Sequence, residues 1–157
     1  MTEPITILFA EDDPDDVLLA ELALERSGAV VSVHVVRHRD EATAYLQGAP
    51  PFEDRVTHPP PRLLVLDLKL SGTTGFEVLA WVQEHPGLRP PIIAVLSGCE
   101  YPKDVERAYG LGADFYIFKM SDLERLGKKL KRLVRLSGVP IVILGAQKPP
   151  IQLREME

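Results

Sequence analysis

Acidic, hydroxyl and ammonium side chains stand directly after short apolar runs in this sequence. Glu11 and Asp12 follow ITILFA, Asp67 follows LLVL, Ser97 follows IIAVL and Lys119 follows FYIF. Three carboxylates brought to one place repel one another unless a cation joins them. Carboxylate oxygens, with retained waters, are the usual ligands of Mg²⁺. A lysine and a hydroxyl beside them supply the point charge and the hydrogen-bond donor that an incoming phosphoryl group requires. An aspartate can itself be the nucleophile and form an aspartyl phosphate. Taken singly, each residue has a simpler explanation as a helix cap, a turn residue or a solvated charge. Gathered at one edge, they suggest metal-dependent phosphorylation of a carboxylate.

Such an edge has to be built by strands. Residues 5–10, 30–36, 63–66, 92–96 and 115–118 read as five short strands, mostly the near-continuous apolar runs of strands buried on both faces. Helices alternate with them. The first opens with Asp13 as N-cap and Pro14 at the first helical position, carries Val17, Leu18, Leu22 and Ala23 at helical spacing, and stops at Gly28. A short second helix, capped by Asp40, runs through Leu46. A third spans 76–85, with Phe76, Leu79, Ala80 and Val82 toward the core, and a fourth spans 102–110. The last opens at a capping box, Ser121-Asp122-Leu123-Glu124, and runs through Leu136 with Leu123, Leu126, Leu130 and Leu133 on one stripe. Residues 47–62 hold five prolines and no periodicity, which predicts a long loop. The alternation implies parallel βαβ units with right-handed crossovers and helices on both faces of an α/β sheet. Open sheets of this kind gather function at the carboxyl ends of their strands. The strand order does not follow from the alternation.

Composition narrows the classes. The chain has 157 residues, close to the size of one domain, and 18 Lys plus Arg against 23 Asp plus Glu leave a net charge of −5. That balance gives no electrostatic reason to bind nucleic acid or an anionic membrane. Hydrophobic residues at 45% and charged residues at 26% describe a soluble globular protein rather than a disordered one. Cys99 is the one cysteine, so no internal disulfide forms. No apolar run reaches the roughly 18 residues of a membrane span, and the start of the chain does not resemble a signal peptide. The expectation is a cytoplasmic location.

The motifs ILFAEDD, LLVLDLKLSGTTGFEVL, VLSG and FYIFKM resemble the receiver domain of two-component response regulators. The likeness covers 5 to about 136, and the intervals of 30 positions from Asp67 to Ser97 and 22 from Ser97 to Lys119 are similar to the family's. The resemblance implies a doubly wound, flavodoxin-like sheet of strand order 2-1-3-4-5. It implies Asp67 as phosphoacceptor, with a sensor histidine kinase supplying the phosphoryl group and the donor histidine. Glu11, Asp12, Asp67 and the main-chain carbonyl of Lys69 would hold Mg²⁺, or Mn²⁺ in its place. Ser97 takes the position of the switch hydroxyl, Tyr116 that of the rotating aromatic and Lys119 that of the lysine. Two positions depart from the pattern: Met120 stands where the family usually has proline, and Leu70-Ser71 replaces the usual proline of the loop after the phosphoacceptor. Neither removes a catalytic group.

By the same likeness, residues 1–136 form the receiver domain and 137–157 a C-terminal extension too short for an attached output domain, so the output is a protein contact. The long proline-rich loop, the DLKL segment and the apolar extension are similar to regulators paired with phytochrome histidine kinases. The run VPIVIL at 139–144 would expose apolar side chains if left uncovered. It suggests a homodimer through the last helix and this tail. The basic residues of the last helix read as a solvated face, and Cys99 as filler. His34, His38, His58 and His85 share no metal-site spacing. Two other readings stay open: a pseudo-receiver that binds partners without phosphorylation, and a metal-dependent phosphohydrolase.

Overall fold

In the computed structural model, which describes residues 3–138, five parallel strands form the sheet. They are β1 (Ile5–Ala10), β2 (Val31–Val36), β3 (Leu63–Leu66), β6 (Ile92–Ser97) and β7 (Phe115–Phe118), in the order β2-β1-β3-β6-β7. The two remaining strands, β4 (Lys69–Leu70) and β5 (Thr73–Thr74), pair as a small antiparallel hairpin directly after β3. Counting only the five sheet strands, the order is the expected 2-1-3-4-5, the flavodoxin-like arrangement. The helices are α1 (Pro14–Ser27), α2 (Arg39–Gln47), α3 (Gly75–Glu84), α4 (Pro102–Gly110) and α5 (Leu123–Ser137), with a single 3-10 turn at Pro86–Leu88.

Side-chain alternation along the buried strands divides the core in two. Ile7 and Phe9 of β1, Leu63 and Val65 of β3, and Phe115 and Ile117 of β7 pack beneath α1 and α5. Their neighbours in sequence, Leu8, Ala10, Leu64, Leu66 and Tyr116, pack with α2, α3 and α4 on the other face. A period of two on strands buried on both sides produces this partition directly.

Several local expectations are corrected. On α1 the core face is Ala20, Ala23 and Leu24, whereas Leu18 is 56% exposed. Small alanines let the helix approach α5: a Cβ on Gly127 would meet the Ala23 carbonyl oxygen at 2.7 Å. Helix α2 is capped by His38, whose Nδ1 accepts from the Glu41 N–H at 3.4 Å, while Asp40 lies inside the first turn, where its charge suits the positive helix end. The N-cap of α5 is Asp122 rather than Ser121, its carboxylate accepting from the Arg125 N–H. At α3 a capping box of Thr74 and Glu77 sets the start at Gly75, and the helix ends one residue early, at Glu84. Ala80 is only half-buried, and Val78 takes a core position instead. Strand β2 begins at Val31, with Val30 largely exposed. The Asp13 cap and the Gly28 stop are both present, Gly28 adopting the left-handed conformation at φ 77°.

The long loop after α2 holds no regular element and is anchored by rings. Tyr45 donates to the Pro59 carbonyl at 2.9 Å, the Phe52 ring packs tilted against it, and His58 packs edge-on against both. The expected tail contact and dimer involve residues 139–157, which lie outside the described residues.

Candidate functional site

Main-chain hydrogen bonds carry the sheet one residue past its strand ends. The Glu11 N–H donates to Val36 O at 2.9 Å, Asp67 N–H to Ala10 O at 3.0 Å, and Lys119 N–H to Ser97 O at 2.9 Å. The side chains at the carboxyl edge therefore leave from fixed points. Glu11 is 1% exposed, Asp67 4% and Ser97 1%, while Asp12 sits half-buried at the rim.

Lys119 leaves β7 and reaches across two strands to the acids, a span that suits its long unbranched stem. Its ammonium donates to Glu11 Oε1 at 2.6 Å, to Asp67 Oδ2 at 2.8 Å and to Asp16 Oδ2 at 2.6 Å. An ammonium has three N–H donors, and here each has a carboxylate. Asp16, in the first turn of α1, where its charge suits the positive helix end, is not among the candidate site residues named from the sequence. The signal that could have found it is its position one turn after the N-cap, on a helix that begins beside the strand edge.

The electrostatics are those of a crowded, partly dry pocket. Burial pushes the Glu11 carboxyl up to about 9, and the neighbouring Asp67 adds to this while Lys119 offsets part of it. For Lys119 burial works against the charged form, but the hydrogen bonds it donates to Asp16, Asp67 and Glu11 outweigh it and raise its pKa. Partial burial would raise Asp16, yet the bonds to Lys119 and Glu11 hold it below its ordinary value.

Oxygen atoms of Glu11, Asp12 and Asp67 all lie within 4.8 Å of one another. The second Glu11 oxygen, Oε2, is buried with no hydrogen-bond partner. A set of hard oxygen donors with one orphaned lone pair fits a divalent cation of the Mg²⁺ or Mn²⁺ type. Lys69 follows two residues after Asp67, and its N–H donates to Asp67 Oδ1 at 3.2 Å.

Ser97 and Tyr116 occupy a second group beside the acids. Ser97 Oγ accepts from the Cys99 N–H at 3.2 Å, and the buried Tyr116 hydroxyl donates to the Cys99 carbonyl at 2.7 Å. Burial pushes the Tyr116 hydroxyl up to about 12. Cys99 Sγ in turn donates to Asp104 Oδ2 at 2.9 Å, joining this loop to α4. Met120 packs against the apolar cluster under α1 and α5. A cavity of about 250 Å³ adjoins it, lined by Asp16, Leu19, Leu96, Lys119, Met120, Ser121 and Leu126.

A five-stranded parallel sheet carrying acids and a lysine at its carboxyl edge defines a class of signalling domain. The chain belongs to the response regulator receiver domain family, whose model matches residues 7–131. Among curated proteins, response regulator Rcp1 of Synechocystis sp. is 31% identical over 128 residues, covering 82% of this chain and 85% of Rcp1. The crystal structure of the phosphorylated cyanobacterial phytochrome response regulator RcpA matches at a TM-score of 0.73 and 32% identity, over 83% of this chain and 91% of that one. Rcp1 in its Mn²⁺-bound form matches at a TM-score of 0.69 and 29% identity, over 94% and 100%. The chain is thus a receiver-type protein of two-component signalling, related to phytochrome response regulators. No helix among the described residues is long and apolar enough to cross a membrane.

Proposed function

We propose that this chain accepts a phosphoryl group on Asp67 from a sensor histidine kinase and signals by changing its protein contacts. The observation that carries the proposal is the Lys119 ammonium, 2.8 Å from Asp67 Oδ2 inside a cluster of acids. An Asp67 oxygen attacks phosphorus, the P–N bond to the donor imidazole breaks, and its electron pair stays on the ring nitrogen. The product is an acyl phosphate on Asp67. Glu11, Asp12, Asp67 and the Lys69 carbonyl would hold a divalent cation, which when bound would neutralise charge on the transferring oxygens. Lys119 follows a phosphoryl oxygen. Ser97 leaves the Cys99 N–H to meet another, and Tyr116 turns with it. The kinase is of the phytochrome type, by kinship with RcpA. Residues 1–136 act as the receiver and 137–157 as an extension that joins α5 in a homodimer. The protein works in the cytoplasm, as a signalling module rather than an enzyme with turnover, and without nucleic acid.

Intact mass after incubation with acetyl phosphate and Mg²⁺ tests the chemistry. One added phosphoryl group is expected, absent from Asp67→Asn and from a metal-free control. No addition would overturn the proposal and favour a pseudo-receiver, while continued turnover of a phosphate ester would favour a hydrolase. Ser97→Ala is expected to keep phosphorylation and lose the phosphorylation-dependent change in oligomeric state. A full response in that variant refutes the role given to Ser97.

A further inference from the structure

The fourth carboxylate of the cluster, Asp16, stands outside the set of acids that converge for a cation. Resting on the Asp67 chemistry proposed above, we infer that Asp16 is a positioning residue that holds Lys119 at the site from the α1 side while Glu11 and Asp67 turn to the cation. All three donors of the Lys119 ammonium are engaged, and two of their acceptors, Glu11 and Asp67, belong to the metal-binding triad. A divalent cation sharing those two carboxylates repels the ammonium and draws electron density from its acceptors. Asp16 is the one acceptor of the three that the cation leaves alone.

Its place is set by the helix. Asp13 caps α1 through the Asp15 N–H at 2.9 Å, and Pro14 follows at the first helical position, so Asp16 is held in the first turn. At 33% side-chain exposure it is the outermost partner of Lys119. A cavity lined in part by Asp16, Lys119 and Met120 adjoins the pair. With asparagine at this position the ammonium has only the triad's own oxygens as anionic partners, and lysine and cation compete for them.

A double-mutant cycle reads this directly. Mg²⁺ binding is followed by backbone-amide NMR titration for the wild type, Asp16→Asn, Lys119→Met and the double variant, with phosphorylation by acetyl phosphate measured in parallel. Asp16→Asn is expected to weaken Mg²⁺ binding about fivefold in the wild-type background, the size of one partly exposed ion-pair coupling. In the Lys119→Met background the same change alters it by less than about twofold. Asp16→Glu, which keeps the charge, restores most of the loss. Equal weakening in both backgrounds would mean that Asp16 acts on the cation through its field alone and overturns the assignment, as does an unchanged Asp16→Asn protein. The amide spectra identify any variant that fails to fold, and Asp16→Ser then takes the place of Asp16→Asn in both backgrounds, with the same outcomes expected. Failure of the wild type to gain a phosphoryl group overturns the Asp67 chemistry instead, and the titration still reports the Asp16–Lys119 coupling.

Discussion

Replacing Gly75 by alanine tests whether α3 and the strand that carries Asp67 share one tight contact. A Cβ at Gly75 would stand 2.3 Å from the Asp67 carbonyl oxygen and 2.9 Å from Leu68 Cα. Ordinary van der Waals contact begins more than 3 Å away, so the two backbones must part by about 1 Å. Neither yields easily. The Asp67 N–H is bound to Ala10 O at 3.0 Å at the carboxyl end of the β1–β3 pairing, and the Gly75 N–H to Leu68 O at 2.9 Å. Overpacking of this kind costs about 1–3 kcal/mol, and alanine's better backbone preference in a helix returns at most about 1 kcal/mol. The net loss expected is about 1–2 kcal/mol, read as a lower urea midpoint at unchanged slope. Function should suffer more, because a 1 Å displacement of a reacting group can cost about a hundredfold in rate. Time-resolved intact mass with acetyl phosphate measures that. Gly127→Ala is the control, since its Cβ meets Ala23 O at 2.7 Å between α1 and α5, away from Asp67. It should lose stability and keep its phosphorylation rate. If Gly75→Ala is as stable as wild type, the contact argument fails; if both variants lose stability and phosphorylate equally fast, the link to Asp67 fails.

Three further outcomes are expected. Asp13→Ala removes the α1 cap and should cost about 1 kcal/mol in urea unfolding, whereas Asp13→Ser should recover most of it. Tyr45→Phe leaves the Pro59 carbonyl without its partner and should cost about 1 kcal/mol; no change would show that water replaces the hydroxyl. With metal removed by chelator, the folded chain keeps a proton on Glu11 up to about 9, against 4.5 for the free side chain. Folding therefore binds a proton in that window, and stability falls as pH rises through it, by at most about 1.4 kcal/mol per pH unit. His34, lowered from 6.5 by burial and by His58, acts in the opposite sense only up to its unfolded value. The decline is thus read cleanly between pH 7 and 8.5, and a rising melting temperature there would contradict it.

Much of this arrangement was legible because strands buried on both faces write themselves as apolar runs, and each run here ends in a polar residue. That locates Glu11, Asp67, Ser97 and Lys119 at one edge without any knowledge of contacts. Side-chain reach is what a linear pattern hides. Nothing in the sequence says that Lys119 crosses two strands, or that Asp16 meets it. The core face of α1 was misjudged because Leu18 outranks Ala20 in hydrophobicity, while the close approach of α5 favours the smaller side chain. Helix starts shifted where two capping residues adjoin, as at Ser121-Asp122, and where histidine capped in place of aspartate, as at His38. The β4–β5 hairpin escaped notice because two-residue strands have no period to read.

The strand registers act as a test of assembly. Ala10 lies opposite Leu66, and Ser97 opposite Phe118, so each site residue takes its place from a pairing made further down the strand. A slip of one residue would carry a side chain about 3.3 Å along its strand and turn it to the opposite face. Glu11, Asp67 or Lys119 so displaced would leave the cluster altogether rather than sit in it slightly wrong. A chain folded in the wrong alignment would therefore lack the cluster as a whole, and with it the site proposed for phosphorylation.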